Sequence, residues 1–366
     1  MKIALLSYST KPRGGVVHTL ALAEALAAAG EHVTVWTLGR GGDQAFFRPV
    51  DPAVRQRVVP FPDGPDGEGV GEGVGERILR SISTLREAFT AHAAEYDIVH
   101  AQDCISANAV GRCVRTVHHI DHFTTPELAA CHERAIVEPY AHVCVSTAVA
   151  DELDEGWGIK AAVIPNGVAY ERFADAAEDQ AGQRRWRDQL GRYVLAVGGI
   201  EPRKGSIDLL DAYALLHPRH RAHRLVIAGG ETLFDYRDYR ARWERRAAEL
   251  GIEPIVLGPV PDDELPSLVA AADVFAFPSV KEGFGLAAME ALAANVPLVV
   301  RDLPVLREVF GTAARFATTP ADLATELDRA LTTEDPDRQA AGRQLAARHT
   351  WDTAARRHLD FYRSIN

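Results

Sequence analysis

Short apolar strands alternating with helix-length stretches, in two successive series, constrain the fold of this chain more than any other feature. The first series places strand-like runs at residues 3–8, 32–37, 57–60, 98–101, 114–118 and 143–146. Between the first two, Val16, Leu20, Ala23 and Leu26 with Ala27 recur at helical spacing, and Gly30 stands where a helix C-cap is expected. Strands of this length separated by helices build a parallel sheet with right-handed crossovers, an α/β doubly wound arrangement. A strand at 162–164 stops at Pro165-Asn166-Gly167-Val168, whose turn formers mark a hinge. Beyond a polar stretch at 174–192, the second series runs through 193–197, 224–228, 254–257, 274–277 and 298–300. Past Pro320 the chain turns helical, and Trp351 opens a last segment with Ala354, Ala355, His358, Leu359 and Tyr362 at helical spacing. The 366 residues exceed one hydrophobic core, so the two series read as two domains.

Composition limits what such a chain does. A hydrophobic content of 47% excludes a disordered chain, and no apolar run reaches the roughly 18 residues that span a bilayer. The opening Met1-Lys2-Ile3-Ala4-Leu5-Leu6 is cut short by Ser9, Thr10, Lys11 and Arg13, so it reads as a strand rather than a leader. Cys104, Cys113, Cys131 and Cys144 lack paired metal spacing and suit small buried residues in a reducing cytosol. Net charge is −11 and both halves are acidic, which argues against nucleic acid and against an anionic bilayer as partners. Arg240, Arg242, Arg245 and Arg246 beside Trp243 read as a solvated helix face. Residues 63–76 carry six glycines, five acids and no cation, which makes them a mobile loop. A lid over a substrate entrance is weighed there against an inert insertion.

The richest chemistry lies in Phe277-Pro278-Ser279-Val280-Lys281-Glu282-Gly283-Phe284-Gly285-Leu286-Ala287-Ala288-Met289-Glu290. A buried strand ends at Pro278, and the glycine-broken loop then opens a helix whose first N–H groups suit a diphosphate. Glu282 falls in the loop and Glu290 inside the helix, placed to accept hydrogen bonds from hydroxyls. Val197-Gly198-Gly199-Ile200-Glu201-Pro202-Arg203-Lys204-Gly205 follows the first strand of the second series, at the strand end where open α/β sheets bind ligands. Lys204 as a point charge and Arg203 as a planar fork suit phosphates. In the first series, Pro12-Arg13-Gly14-Gly15 after the first strand lets backbone amides approach an anion, and it lacks the Gly-x-Gly-x-x-Gly of dinucleotide sites. Asp335-Pro336-Asp337 precedes a late helix and reads as a cap rather than a metal ligand.

The Glu-x7-Glu spacing around Gly-Phe-Gly-Leu resembles the signature of family-four retaining glycosyltransferases. That resemblance implies the GT-B fold, two facing Rossmann-like domains at 1–165 and 166–350, with a final helix, 351–366, crossing back to the first domain near Trp351. It assigns His118, in Arg115-Thr116-Val117-His118-His119, to a sugar hydroxyl, and Lys204 to the leaving phosphates. The family usually reads Gly-Arg where this chain has Gly198-Gly199, and Arg203 is the proposed replacement. Gly14 and Gly15 match the loop facing the donor or acceptor, Val260 matches the backbone contact to the base, and Asn166 the interdomain turn. The amides of Phe284, Gly285, Leu286 and Ala287, with Glu282 and Glu290, complete the expected donor site. The implied reaction moves a sugar from a nucleoside-diphosphate sugar, uridine being the commonest base, to an acceptor hydroxyl with retention, without metal or cofactor, in the cytoplasm. A GT-B sugar-nucleotide epimerase and a non-catalytic sugar-nucleotide-binding subunit are the alternatives, and the oligomeric state is left open.

Overall fold

The computed structural model describes the chain except residues 63–72, 122, 124–125, 231–235 and 366. The chain divides into one unit made of Met1–Gly167 with Trp351–Asn366 and a second made of Val168–Thr350. Most of the acidic glycine-rich loop lies outside the described residues. Its end does not behave as loop: the helix α2 (Val74–Thr90) already starts there, and Glu76 reaches back to accept from the Gly73 amide at 3.2 Å.

In the first unit the strands are β1 (Lys2–Leu6), β2 (His32–Arg40), β3 (Arg55–Phe61), β4 (Ile98–Ala101), β5 (Val114–Val117), β6 (Ala141–Cys144) and β7 (Ala162–Val163). They form one sheet in the order β3-β2-β1-β4-β5-β6-β7, and every pairing is parallel. The crossovers carry α1 (Gly14–Ala28), α2, α3 (Cys104–Val110), α4 (Pro126–Val137) and α5 (Thr147–Trp157). Continuous burial of Ile3–Leu6 and of Val33 to Leu38 shows why these runs do not alternate in polarity: helices cover both faces of the sheet.

The second unit starts with α6 (Tyr170–Glu178) and α7 (Gln180–Leu190), then β8 (Arg192–Val197), α8 (Ser206–Leu216), β9 (His223–Ala228), α9 (Arg237–Leu250) and β10 (Ile255–Gly258). It continues with α10 (Leu265–Ala270), β11 (Val274–Phe277), α11 (Leu286–Ala293), β12 (Leu298–Arg301), α12 (Pro304–Phe310), β13 (Arg315–Ala317), α13 (Pro320–Thr332) and α14 (Pro336–Arg348). The sheet order β10-β9-β8-β11-β12-β13 places β8 and β11 side by side at the point where the winding reverses. Two things here were not expected. The polar stretch at 174–192 is helical, with Asp179 capping α7 through the Ala181 and Gly182 amides, and Phe173, Trp186 and Leu190 buried among charges. The edge strand β13 is only three residues long and carries an arginine, too little to signal a strand.

The last helix, α15 (Trp351–Ile365), belongs to the first unit. Its Ala355, Leu359 and Tyr362 enter the same core as Leu20, Leu26, Val35 and Ile98. That is why α1 is buried well beyond the single face its spacing suggests, taking in His18, Thr19, Leu22 and Ala25 as well. Among the described residues, no helix is long and apolar enough to cross a membrane.

Candidate active site

In the second unit the ends of β8 and β11 bring the charged residues together. A short 3-10 turn, Pro202–Lys204, follows β8 and closes on Gly205. Gly205 has φ +63°, and a Cβ there would run into the Pro278 carbonyl oxygen, so only glycine lets this turn lie against the end of β11. The Val280 amide donates to Arg203 O at 2.8 Å and ties the two loops again. Glu282 is thereby presented to both cations. Lys204 Nζ donates to its Oε1 at 2.6 Å and Arg203 Nη1 to the same oxygen at 3.1 Å. Arg203 also spans to Glu201 Oε1 at 3.3 Å, through Nη2. Burial lowers the Lys204 pKa, and the adjoining Glu282 carboxylate works against that shift. The Lys204 ammonium lies 5.2 Å from the centre of the Phe277 ring, which shapes the apolar floor under the charges.

Gly285 adopts φ +94° and caps α11, and the first helical bond runs from Met289 N to Gly285 O. The amides of Leu286 and Ala287 therefore precede the hydrogen-bond ladder and carry the positive helix end. Phe284 is buried against His349, at 5.7 Å between ring centres, so its side chain anchors the loop while its amide belongs to the turn.

Glu290 faces a different neighbourhood. Burial pushes its pKa up to about 8, with Arg172 pulling it down and Asp262 pushing it further up. Arg172 is itself paired with Asp262 at 3.0 Å, in the loop that follows Val260. The second unit thus carries one carboxylate held by two cations at the ends of β8 and β11, and another whose pKa burial raises near the loop that follows Val260.

In the first unit, β5 delivers His118 beside the start of α1, where a Cβ on Gly15 would stand 3.9 Å from His118 Nε2. Gly14 and Gly15 are the first two residues of α1, so their amides are helix-end donors. His118 Nε2 is buried and meets no hydrogen-bonding partner among the described residues. Its ring packs edge-on to His18, 4.7 Å between centres, and burial holds both imidazoles neutral by lowering their pKa, that of His18 to about 3. His18 Nδ1 is hydrogen-bonded to Asn166 Oδ1 at 2.9 Å, and the Trp351 ring centre stands 5.3 Å from it. His119 turns to Asp121 at 3.0 Å.

Sequence reasoning missed Glu201, His18, Arg172 and Asp262. Only Glu201 left a signal, an acid two positions before Arg203. Asp335 does cap a helix, accepting from the Arg338 amide at 3.2 Å. The four cysteines are free thiols, three of them buried, and Arg240 and Arg246 of the solvated face are paired with Glu244, Asp211 and Glu249.

The sequence profile described as Glycosyltransferase Family 4 matches residues 12–172, and that of Glycosyl transferases group 1 matches 183–348. The chain belongs to the family-four glycosyltransferases, with the GT-B fold. It is 29% identical to a D-inositol 3-phosphate glycosyltransferase of Corynebacterium urealyticum, over 100% of this chain and 96% of that protein. A phosphatidyl-myo-inositol mannosyltransferase of Mycobacterium leprae is 27% identical, over 100% and 97%. Among solved structures, sucrose-phosphate synthase from Thermosynechococcus elongatus superposes with a TM-score of 0.78 at 21% identity, covering 100% of this chain and 99% of that one. Anabaena HepE in complex with UDP and glucose gives 0.77 at 22%, covering all of both chains. In this glycosyltransferase the first profile covers the first unit from residue 12 to its last strand, and the second spans every strand of the second sheet.

Proposed function

We propose that this glycosyltransferase moves a sugar from a nucleoside-diphosphate sugar, with UDP as the nucleotide of first choice, to an acceptor hydroxyl with retention at the anomeric carbon. The observation that carries the reading is the convergence of Lys204 and Arg203 on Glu282 Oε1 beside the start of α11. Two cations and a row of helix-end amides suit a leaving diphosphate, whose charge grows as the anomeric C–O bond breaks. Glu282 then accepts from hydroxyls of the donor sugar and steadies the oxocarbenium-like centre. The new bond forms from the acceptor oxygen on the face the diphosphate leaves, and the acceptor proton passes to a leaving phosphate oxygen. No protein base and no metal or cofactor take part, His118 keeps the sugar-holding role the family resemblance implies, and Gly14 and Gly15 remain the loop facing the donor or acceptor. Glu290 serves the ribose and the Val260 backbone the base. The free thiols suit work in the cytoplasm.

The test is the stereochemistry of the product. With an α-linked UDP-sugar the product linkage is expected to be α by NMR, and activity is expected to survive EDTA. A β linkage, or activity recovered only with added divalent ion, contradicts the reading. Sugar product formed from donor alone would favour the epimerase.

A further inference from the structure

At the C-terminal ends of β1 and β2 the first unit gathers two arginines around one tyrosine. Arg13, the N-cap of α1, donates from Nη1 to Tyr8 Oη at 2.7 Å and lies 5.5 Å from the Tyr8 ring centre. Arg40, the last residue of β2, lies 5.4 Å from the same centre and 4.9 Å from that of Phe61. Its Nε donates to Tyr8 O at 3.0 Å and its Nη2 to Ser81 Oγ at 2.8 Å. Neither guanidinium is ion-paired among the described residues, and Arg13 Nε is buried with no hydrogen-bonding partner.

Among the described residues, the carboxylates nearby are engaged elsewhere. Asp103 accepts from the Tyr8 amide at 3.0 Å and the Ser106 amide at 2.8 Å as the cap of α3. Asp43 accepts from Thr10 Oγ1 at 2.6 Å and Lys11 Nζ at 3.1 Å. The Arg40 pKa is lowered to about 10, first by burial, with Arg13 and Arg77 adding to that shift and Tyr8 and Asp103 opposing it. Half-buried like charges held together in this way cost stability unless an anion joins them. They stand at the ligand-binding ends of the strands, next to the residues that open α1, and a pair of guanidinium forks matches the oxygens of a phosphate or carboxylate.

We propose that Arg13 and Arg40 receive an anionic group, a phosphate or a carboxylate, carried by the acceptor. The word acceptor rests on the glycosyltransferase reading above, whereas the anion site rests on the first unit alone. An acceptor with no charge gives these two cations nothing to bind.

Calorimetric titration of the full chain separates the possibilities. The probes are inorganic phosphate, glucose 6-phosphate, glucuronate and glucose, with UDP as a parallel arm, on the wild type, Arg13→Gln and Arg40→Gln. At least one anion is expected to bind and glucose is not. The contrast between glucose 6-phosphate and glucuronate names the group. Each substitution is expected to weaken anion binding about tenfold or more, the order for losing a charge-assisted contact, while UDP affinity stays within about twofold. Arg40→Lys keeps the charge and is expected to retain part of the affinity, which separates a lost cation from a lost fold. If UDP affinity falls in parallel with anion affinity, the pair belongs to the donor diphosphate and the proposal is overturned. It is equally overturned if no anion binds the wild type. If the wild type binds the anion but not UDP, the anion site stands and the transferase reading falls.

Discussion

Glu282 and Glu290 bracket one motif and meet opposite surroundings. The first has two cations on a single oxygen, at 2.6 and 3.1 Å, in a loop that the Val280 amide ties to the turn after β8. The second sits within α11 with one arginine in range, and that arginine is already paired with Asp262. The contrast teaches that residue type alone does not set a carboxylate's role. Two cations converge on Glu282 Oε1, whereas burial pushes the Glu290 pKa up to about 8.

The largest effect that would sharpen this contrast is on turnover. Glu282→Gln is expected to cut kcat about 10²-fold or more, the order for removing one preorganised electrostatic contact. Steady-state kinetics with any working acceptor measures it, and a kcat near that of the wild type would remove Glu282 from the reaction. Next comes the cation pair. Lys204→Ala is expected to weaken UDP binding by roughly 1.5–3 kcal/mol, about 10- to 150-fold, and to leave uridine binding unchanged. Arg203→Ala should act in the same direction. If it leaves UDP affinity untouched while Lys204→Ala abolishes it, the phosphate cluster has one working cation and Arg203 does not replace the arginine absent at Gly199.

The smallest effect is the dependence on pH. Because the folded pKa of Glu290 is raised from 4.5 to about 8, the folded state holds its proton more tightly than the unfolded chain does. Stability is therefore full below pH 4.5 and declines as pH rises through about 8. Glu290→Gln is expected to flatten that decline, so that thermal melts at pH 9 rise relative to the wild type while those at pH 4.5 do not. Wild-type UDP affinity is expected to increase between pH 7 and 9, as the ionised carboxyl becomes the better acceptor for ribose hydroxyls. Identical melting curves for the two proteins at every pH would make Glu290 an ordinary solvated acid.

Both sheets were readable because each central strand is a compact apolar run bounded by glycine, proline or polar residues, as at 3–8 and 274–277. Helices α6 and α7 were not, since Phe173, Trp186 and Leu190 are spread among charges whose exposed faces dominate the composition. At the site, two compact motifs, 197–205 after β8 and 277–290 after β11, made Lys204, Glu282 and the opening of α11 legible. Arg172 and Asp262 come from separate segments and meet only through the packing of α6 on α10 and α11, which no local pattern encodes.

Titration of UDP into Glu282→Gln and Glu290→Ala tests the division of labour most directly. The expected result is wild-type affinity for Glu282→Gln, whose proposed partners are the sugar hydroxyls, and a clear loss for Glu290→Ala, whose proposed partner is the ribose. Equal losses in the two variants would show that the carboxylates do not divide sugar from nucleotide, and the account of the site built on their contrast would fail.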